Sequence, residues 1–449
     1  MREHLLKIGV SGIRGVVGDF LTPALAAAFA QAFGTYVGRG RVVVGRDTRP
    51  SGEMLEHAVC CGLLAAGCEV VRVGVQPTPT IQVYVAHTGA RGGIAITASH
   101  NPPEYNALKL FNSSGLFFNQ YERGELVDLY HESDFRHAAN EEIGGLSDDA
   151  GSAGAIHTGR VLAQVDADRI RACRFRVALD AVNGAGSLLS CRFLRHDLGC
   201  ELEAIAVDPS LPFPRPAEPR AEVLGELSAL VLARGAAIGF AQDPDGDRLA
   251  VAEETGRVLD NDDMLALVVD AALTRRRGDV VVNLTTSSVI DDVARSHGCR
   301  VWRTPVGEAN VVERMQAIDA VIGGEGSGGG VILPAVHLCR DSYTAMALLL
   351  DRMAATGLSI GTLAARLPRY HRRSRQLAFE HGRLGPLMQA LEERFAGVAA
   401  DRSDGLKLAW PDRWIHVRAS NTEPLVRLTV EARAEDEAEG LLAQVEALL

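Results

Sequence analysis

The chain has 449 residues, 47% of them hydrophobic, which is more than one compact core usually organises, so three or four domains are expected. Its 46 basic and 57 acidic residues give a formal net charge of −11, which argues against a protein that neutralises nucleic-acid phosphates or an anionic membrane. The eight cysteines are scattered without a C-x-x-C pair, so we expect reduced, mostly buried thiols rather than a structural zinc site.

Neither a secretory signal nor a membrane anchor is predicted. Arg2, Glu3, His4 and Lys7 interrupt any apolar run at the start of the sequence. No later apolar run reaches the roughly 18 residues that a membrane-spanning helix needs. We therefore expect a cytoplasmic protein that binds neither nucleic acid nor membrane.

Short β-branched runs alternate with longer amphipathic segments from the start of the chain. Strand-like Arg41–Gly45 precedes a helical pattern at Ser51–Ala66, and strand-like Glu69–Val73 follows. The same rhythm returns at three later strand-like runs, each with a helix after it: Phe175–Leu179 with a helix from about Gly184, Val280–Leu284 with one from about Ser287, and Val301–Arg303 with one from about Gly307. This alternation is typical of an α/β fold.

Changes in this rhythm predict four domains, at residues 1–145, 146–254, 255–368 and 369–449. The segment Asn140–Gly159 lacks a periodic apolar face and is interpreted as a linker, and a second boundary lies near Glu254–Asp262. Pro368 closes a helical pattern, and the basic stretch Arg369–Arg375 after it is interpreted as a hinge.

The last domain changes character. Strands at Ile415–Arg418 and Val426–Ala432, with a terminal helix from about Glu435, predict a small α+β unit. Two proline-rich segments, Pro77–Thr80 and Pro209–Pro219, are predicted to be loops.

A serine loop, Thr97–Pro103, follows the apolar run Gly93–Ile96. A serine at the end of a strand, in a loop stiffened by two prolines, lies where α/β proteins present reactive groups. His100 beside it could transfer a proton, and Lys109 could neutralise a transferring phosphate. An ordinary turn serine is the alternative interpretation of Ser99.

An aspartate loop, Asp243-Pro244-Asp245-Gly246-Asp247-Arg248, follows the apolar stretch Ala236–Ala241. Pro244 and Gly246 bend the backbone, so the three carboxylates can converge instead of spreading along a strand. Oxygen ligands without His or Cys favour Mg2+ or Ca2+, and three carboxylates leave positions for phosphate and water, which favours Mg2+. Arg248 stands where an EF-hand requires glycine, which excludes that motif; a solvated acidic turn is the alternative.

Three further loops are candidates for ligand contact. Gly323–Gly330 retains only Glu325 and Ser327 as polar side chains, a combination that fits sugar hydroxyls, with a flexible linker as the alternative. Arg418–Pro424, with Arg427 close behind, offers small polar groups and forked donors for a dianion, with a polar turn as the alternative. Ser11–Gly15 by itself indicates only a bend and one charge, at Arg14.

In this order along essentially the whole chain, the five loops resemble those of the α-D-phosphohexomutase superfamily. The serine and aspartate loops are the specific part of the resemblance, and the other three are less so. The resemblance implies an α/β fold, with three related mixed α/β domains around a central cleft and a smaller C-terminal α+β domain.

The resemblance also implies a role for each matching position. Ser99 is similar to the phosphoserine, and the Mg2+ ligands are the Ser99 phosphate together with Asp243, Asp245 and Asp247. The positions that support phosphoryl transfer are Arg14, His100 and Lys109. The substrate-binding positions are Arg248, Thr304, Gly307, Glu308, Glu325, Ser327, Arg418, Ser420, Asn421, Thr422 and Arg427.

The activity implied is a mutase that interconverts hexose 6-phosphate and hexose 1-phosphate. Phosphoserine would phosphorylate the sugar, the hexose 1,6-bisphosphate would turn around, and Ser99 would retrieve the other phosphate. The implied cofactors are Mg2+ and the bisphosphate, the partner is a small-molecule sugar phosphate, and the chain is expected to be a monomer or homodimer.

The choice of sugar and the general base stay open. The glycine-rich loop is similar to that of phosphoglucosamine mutases and lacks the histidine that some phosphomannomutase/phosphoglucomutase enzymes carry there, so glucosamine is favoured over mannose and glucose. Val10 also stands where many relatives have threonine. A Mg2+-dependent sugar phosphatase and a sugar-phosphate binder without turnover are the rival functions, although a binder needs no nucleophile.

Overall fold

The computed structural model describes residues 7–9, 12–378, 384–419 and 425–448. The chain divides into two compact units, and each combines two stretches of sequence. The first unit comprises residues 1–260 and 330–362, and the second comprises residues 261–329 and 363–449.

The first unit begins with a mixed seven-stranded sheet in the order β1-β2-β6-β5-β3-β4-β7. Its strands are β1 (Lys7–Gly9), β2 (Gly12–Val16), β3 (Arg41–Arg46), β4 (Glu69–Val75), β5 (Gly92–Ile96), β6 (Tyr105–Asn112) and β7 (Leu146–Asp148). Its helices are α1 (Pro23–Val37), α2 (Gly52–Ala65), α3 (Thr78–Thr88) and α4 (Gln120–Glu132). The alternating pattern of the sequence yields this layer because fully buried Val42 and Val44 of β3 pack in one core with Phe29 and Phe33 of α1.

A second sheet, with the strand order β11-β10-β8-β9, follows in the part of the first unit that ends at residue 260. Its strands are β8 (Arg176–Asp180), β9 (Glu201–Ile205), β10 (Ile238–Gln242) and β11 (Leu249–Glu253). The helices here are α5 (Ser152–Leu162), α6 (Ala167–Cys173), α7 (Gly186–Arg192) and α8 (Gly225–Arg234). Strands β8, β9 and β10 run parallel, whereas β11 returns antiparallel to β10 through the aspartate loop.

Residues 261–329 of the second unit form parallel strands in the order β13-β12-β14 with helices beside them. The elements are α9 (Asn261–Arg275), β12 (Val280–Asn283), α10 (Val289–Ser296), β13 (Val301–Thr304), α11 (Glu308–Ile318) and β14 (Ile322–Glu325). The chain then returns to the first unit with the antiparallel pair β15 (Gly330–Leu333) and β16 (His337–Arg340) and the helix α12 (Ser342–Thr356).

The chain ends in an antiparallel sheet with the order β17-β21-β20-β19-β18. After α13 (Ile360–Ala365), its elements are β17 (His371–Ala378), α14 (Leu384–Arg394), β18 (Ala399–Asp401), β19 (Leu406–Ala409), β20 (Trp414–Ala419), β21 (Leu425–Ala432) and α15 (Glu435–Glu446). Helices α14 and α15 cover one face through a core that includes Leu391, Val430 and Leu442. The fold is therefore three α/β domains followed by an α+β domain, as the sequence predicted.

Three local predictions were wrong. Pro77–Thr80 is not a loop, because Thr78 begins α3 and proline is tolerated in the first helical turn. Arg369–Arg375 is not a hinge, because β17 starts at His371 and pairs with β21 along its whole length. The expected linker Asn140–Gly159 contains β7, an edge strand paired with β4, and most of α5.

The cysteine environments and the helix lengths bear on two smaller expectations from the sequence. Among the described residues, none of the eight cysteines forms a disulfide, but only four are buried, and Cys61 and Cys173 are exposed. Within the described ranges, every helix is too short or too polar to cross a lipid bilayer.

Candidate active site

The serine loop leaves β5 at Ile96 and places Ser99 in an uncommon backbone conformation. Ser99 has a φ of 50°, in the left-handed region that few residues other than glycine adopt. Its side chain is buried, and its backbone N–H donates to Thr97 Oγ1 at 3.0 Å. The loop therefore holds one hydroxyl in a defined position instead of leaving a mobile turn.

The aspartate loop turns sharply between β10 and β11. Gly246 has a φ of 66°, which allows the chain to reverse within a few residues. Asp243, Asp245 and Asp247 are all buried, and one carboxylate oxygen from each lies within 4.8 Å of the others. Burial, followed by the charges of Asp247 and Asp245, raises the pKa of Asp243 well above its usual value.

The two loops meet although 144 residues separate them along the chain. Ser99 Oγ donates to Asp243 Oδ2 at 2.8 Å. The structure therefore brings the candidate nucleophile into direct contact with the acidic cluster.

Cationic groups partly balance the three acids. Lys109 on β6 is buried, and its Nζ lies 2.6 Å from Asp245 Oδ2 and 3.4 Å from Asp247 Oδ2. Burial opposes the charged amine, but Asp245 and Asp247 outweigh it and raise the pKa of Lys109. Burial also opposes the charged form of Asp245 and by itself would raise its pKa, but Lys109 and a hydrogen bond from Thr78 outweigh burial and lower the pKa.

The cluster retains oxygen atoms with the properties of metal ligands. Among the described residues, Asp245 Oδ1 and Asp247 Oδ1 are buried without a hydrogen-bond partner. Leaving a buried carboxylate oxygen without a partner is costly, and a cation removes that cost. Three carboxylates without nitrogen or sulfur donors fit a hard divalent cation, so this triad could hold a metal.

Arg14 and His100 flank the serine. Arg14 on β2 donates to Asn101 Oδ1 at 2.6 Å, and Nδ1 of His100 lies 3.5 Å from Ser99 Oγ. Burial, and then the positive charges of Arg248, Arg14 and Arg340, lower the pKa of His100 to about 2. Arg248, at the end of the aspartate loop, pairs with Glu218 at 3.1 Å.

Sequence reasoning missed two residues that contact the acids. Arg340 at the end of β16 donates to Asp247 Oδ2 at 2.6 Å, and Thr78 Oγ1 donates to Asp245 Oδ2 at 2.6 Å. Thr78 lies in a segment that was predicted to be a loop, so its position at a helix start was not foreseen. Arg340 lies in no motif, and only the fold brings it to the cluster.

The second unit contains the predicted sugar-binding residues. Glu325 ends β14, and its Oε1 accepts hydrogen bonds from Asn283 Nδ2 and Gly307 N, each at 2.9 Å. Thr304 ends the neighbouring β13, and Glu308 opens α11; both are buried. The structure therefore brings Glu325 and Gly307 together, and Ser327 lies in a short 3-10 turn, Gly326–Gly328.

A basic pocket opens on the polar face of the last sheet. Arg418 and Arg427 lie opposite each other on β20 and β21, and they line a cavity of about 270 Å³ together with Arg372 and Arg375. Asp404 lies 3.7 Å from Arg418. Burial lowers the pKa of Arg418, with Asp404 opposing this and Arg427 adding to it. Ser420, Asn421 and Thr422 lie outside the described residues.

Four family descriptions match consecutive parts of the chain. They are the alpha/beta/alpha domain I of phosphoglucomutase/phosphomannomutase at residues 5–137, domain II at 156–256, domain III at 260–370 and the C-terminal domain at 385–448.

Similar proteins match over nearly their whole length. A Thermococcus kodakarensis protein named phosphoglucomutase/phosphomannomutase is 38% identical, with 96% of this chain and 95% of that protein covered. A Methanopyrus kandleri protein named "probable phosphoglucosamine mutase" is also 38% identical, with the same coverage. The crystal structure of a phosphoglucomutase/phosphomannomutase family protein from Burkholderia thailandensis superposes with a TM-score of 0.86 at 28% identity, covering 98% of this chain and 96% of that one.

Proposed function

This chain belongs to the phosphoglucomutase/phosphomannomutase family, and on that premise we propose that it interconverts hexose 6-phosphate and hexose 1-phosphate through a phosphorylated Ser99. The observation that carries the proposal is the 2.8 Å contact between Ser99 Oγ and Asp243 in a buried acidic cluster. A nucleophile beside a cation-binding group is the arrangement that covalent phosphoryl relay requires.

Each phosphoryl transfer breaks one P–O bond and forms another, and one proton is exchanged with it. When phosphoserine meets a hexose 6-phosphate, the P–Oγ bond of Ser99 breaks and a new P–O bond forms to the free sugar hydroxyl. The proton of that hydroxyl is lost from the sugar, and Ser99 Oγ gains one proton. The resulting hexose 1,6-bisphosphate turns around, and Ser99 Oγ then takes the other phosphoryl group by the reverse exchange.

The site residues of the first unit have distinct roles in this scheme. Asp243, Asp245, Asp247 and the Ser99 phosphate would hold Mg2+, which when bound offsets negative charge on the transferring phosphoryl group. Lys109 adds a fixed positive charge beside the same group. Arg14 and His100 support the transfer, Arg14 through its bond to Asn101 of the serine loop. Arg248 contributes to substrate binding.

The second unit supplies recognition. Arg418 and Arg427, with Ser420, Asn421 and Thr422, would hold the phosphate that does not react, because paired guanidinium groups bind a dianion without reading which sugar oxygen carries it. Glu325, Ser327, Thr304, Gly307 and Glu308 would contact the sugar.

We propose glucosamine phosphate as the preferred sugar, with mannose and glucose phosphates as the alternatives. The motif Gly-Gly-Glu-Gly-Ser-Gly-Gly supports this choice, as does the similarity to the Methanopyrus protein. A protonated sugar amine would also gain more from the Glu325 carboxylate than a neutral hydroxyl does.

The test is a coupled assay of all three hexose 6-phosphates with Mg2+ and a hexose 1,6-bisphosphate primer, using the wild type, Ser99→Ala and Ser114→Ala. We expect turnover with the highest kcat/KM on glucosamine 6-phosphate, a loss of turnover by at least about 1000-fold in Ser99→Ala with sugar-phosphate binding retained, and no change in Ser114→Ala, whose serine is exposed. Full activity of Ser99→Ala would refute the relay. Release of inorganic phosphate without the 1-phosphate product would identify a phosphatase instead.

A further inference from the structure

Arg49 lies in the loop that follows β3, next to the serine loop. Its side chain is fully buried, which is rare for arginine and requires that its donors be satisfied. Its guanidinium donates to four backbone carbonyls of one segment: Nη2 to Ser99 O at 2.6 Å and Asn101 O at 2.7 Å, and Nη1 to Pro102 O at 2.6 Å and Tyr105 O at 3.0 Å.

Asp47 takes the remaining N–H of the same guanidinium. Its Oδ2 accepts from Arg49 Nε at 3.0 Å and from Thr97 Oγ1 at 2.6 Å. Thr97 Oγ1 in turn accepts the backbone N–H of Ser99 at 3.0 Å. All five N–H donors of Arg49 are therefore used, and both the N–H and the C=O of Ser99 are fixed by this group.

These contacts act on the backbone and not on the reacting atoms. The hydrogen bonds of the Arg49 side chain reach carbonyl oxygens and Asp47, whereas the hydroxyl of Ser99 bonds to Asp243. Because Ser99 adopts a left-handed φ that a free loop would leave, its hydroxyl keeps its position only if the backbone on both sides is held.

We propose that Arg49, with Asp47 and Thr97, is a positioning residue that holds the Ser99 hydroxyl in line for phosphoryl transfer. This inference rests on the proposed function, since it concerns the geometry of the same serine. Transfer rates fall steeply when a reacting atom moves by about 1 Å. Loss of the Arg49 contacts should therefore lower the rate of phosphoryl transfer strongly and change the affinity for sugar phosphate little.

The test compares Arg49→Met and Arg49→Lys with Arg72→Met, which breaks an Arg–Asp pair of similar length at the edge of the same sheet, between Arg72 and Asp148. We expect kcat to fall about 100-fold in Arg49→Met, with KM within about threefold of wild type, and the phosphorylation of Ser99 by hexose 1,6-bisphosphate to slow by the same factor. Arg49→Lys should fall at least about tenfold, because three N–H donors cannot serve four carbonyls. Arg72→Met should match the wild type.

A second pair of variants keeps the proposal falsifiable if Arg49→Met does not fold. Thr97→Ser retains the hydroxyl and should keep the wild-type kcat, whereas Thr97→Val removes it and should lower kcat with little change in KM. Wild-type rates of Ser99 phosphorylation in folded Arg49→Lys and Thr97→Val would overturn the inference. Turnover that survives in Ser99→Ala would instead overturn the proposed function, whatever the Arg49 variants do.

Discussion

The two carboxylate oxygens of Asp245 have different surroundings. Oδ2 accepts hydrogen bonds from Lys109 and from Thr78, each at 2.6 Å. Oδ1 is buried and has no hydrogen-bond partner among the described residues. The first oxygen fixes the side chain, so the second is left as the atom that a cation would bind.

Asp245→Asn should therefore weaken metal use and turnover together. The amide keeps one oxygen, but its NH2 group cannot bind a cation or accept from Lys109. We expect the Mg2+ concentration for half-maximal activity to rise at least about tenfold, the size of effect seen even for groups one layer away from a metal. Metal titration of the mutase assay measures this, with Asp168→Asn as the control because Asp168 is 93% exposed. Superimposable titration curves for Asp245→Asn and wild type would contradict the assignment.

At the scale of elements, the antiparallel pair β15–β16 is attached to the turn that follows β6. The Nε2–H of His337 on β16 donates to the carbonyl of Gly115 at 3.1 Å, and Gln82 of α3 donates to the same carbonyl at 2.9 Å. Gly115 has a φ of 71°, and a Cβ there would lie 2.2 Å from Gln82 O. Only glycine therefore fits this turn, and the partly buried His337 contacts it.

The desolvation of His337 beside this turn predicts loss of stability in mild acid. Burial lowers the pKa of His337 to about 4, whereas an unfolded histidine titrates near 6.5. The unfolded state therefore binds the proton first, so the stabilisation is complete above about pH 6.5 and declines as the pH falls towards 4. Between pH 7 and pH 5, the free energy of unfolding should decrease by about 1–2 kcal/mol more in the wild type than in His337→Gln, whose side-chain amide can still donate to Gly115.

Urea unfolding at the two pH values gives both free energies. The other histidines are present in both proteins, so the difference between the two slopes isolates His337. Equal slopes would show that folding does not lower the pKa of His337.

The elements also show what the sequence could and could not predict. The order of strands and helices could be predicted from hydrophobic periodicity. Runs such as Val42–Val44 are strongly apolar and are fully buried in the core. The convergence of Asp243, Asp245 and Asp247 was expected from Pro244 and Gly246 alone. In contrast, Arg372 and Arg373 were interpreted as part of a hinge, because pairing with β21 is a long-range contact that composition does not encode.

Long-range contacts explain the missed site residues as well. Thr78 and Arg340 reach the aspartates from positions 167 and 93 residues away in the chain. Arg49 reaches the serine loop because β3 and β5 are parallel neighbours, so the segments after their carboxyl ends meet at one edge of the sheet. No local sequence pattern around these residues indicates a functional role, whereas the serine and aspartate loops are recognisable as contiguous sequence motifs.

At the scale of the whole molecule, a net charge of −11 coexists with two local sites of opposite character. The first unit has the buried acidic triad, which attracts a cation. The second unit has the pocket lined by four arginines, which attracts an anion. The overall charge therefore does not predict what each unit binds, because short-range groups determine the local potential.

We therefore expect each ligand to slow amide hydrogen exchange in its own set of residues, and we call that set the trace of the ligand. The Ser99→Ala variant prevents turnover, so Mg2+ and glucosamine 6-phosphate can be added separately. With Mg2+ alone, we expect slower exchange in residues 243–248 of the first unit, by up to about 100-fold at 100 times Kd, because a ligand that binds only the closed form opposes local opening. With glucosamine 6-phosphate alone, we expect slower exchange in residues 304–308 and 326–329 of the second unit.

The control is Asp168→Asn in the same Ser99→Ala background, which should reproduce both traces because that exposed carboxylate touches neither site. Ser99→Ala combined with Asp245→Asn should lose the Mg2+ trace in residues 243–248 and keep the sugar-phosphate trace, since only the acidic triad is altered. If Mg2+ protected residues 304–308 and left 243–248 unchanged, the division of tasks between an acidic cation site and a separate sugar-phosphate site would be wrong.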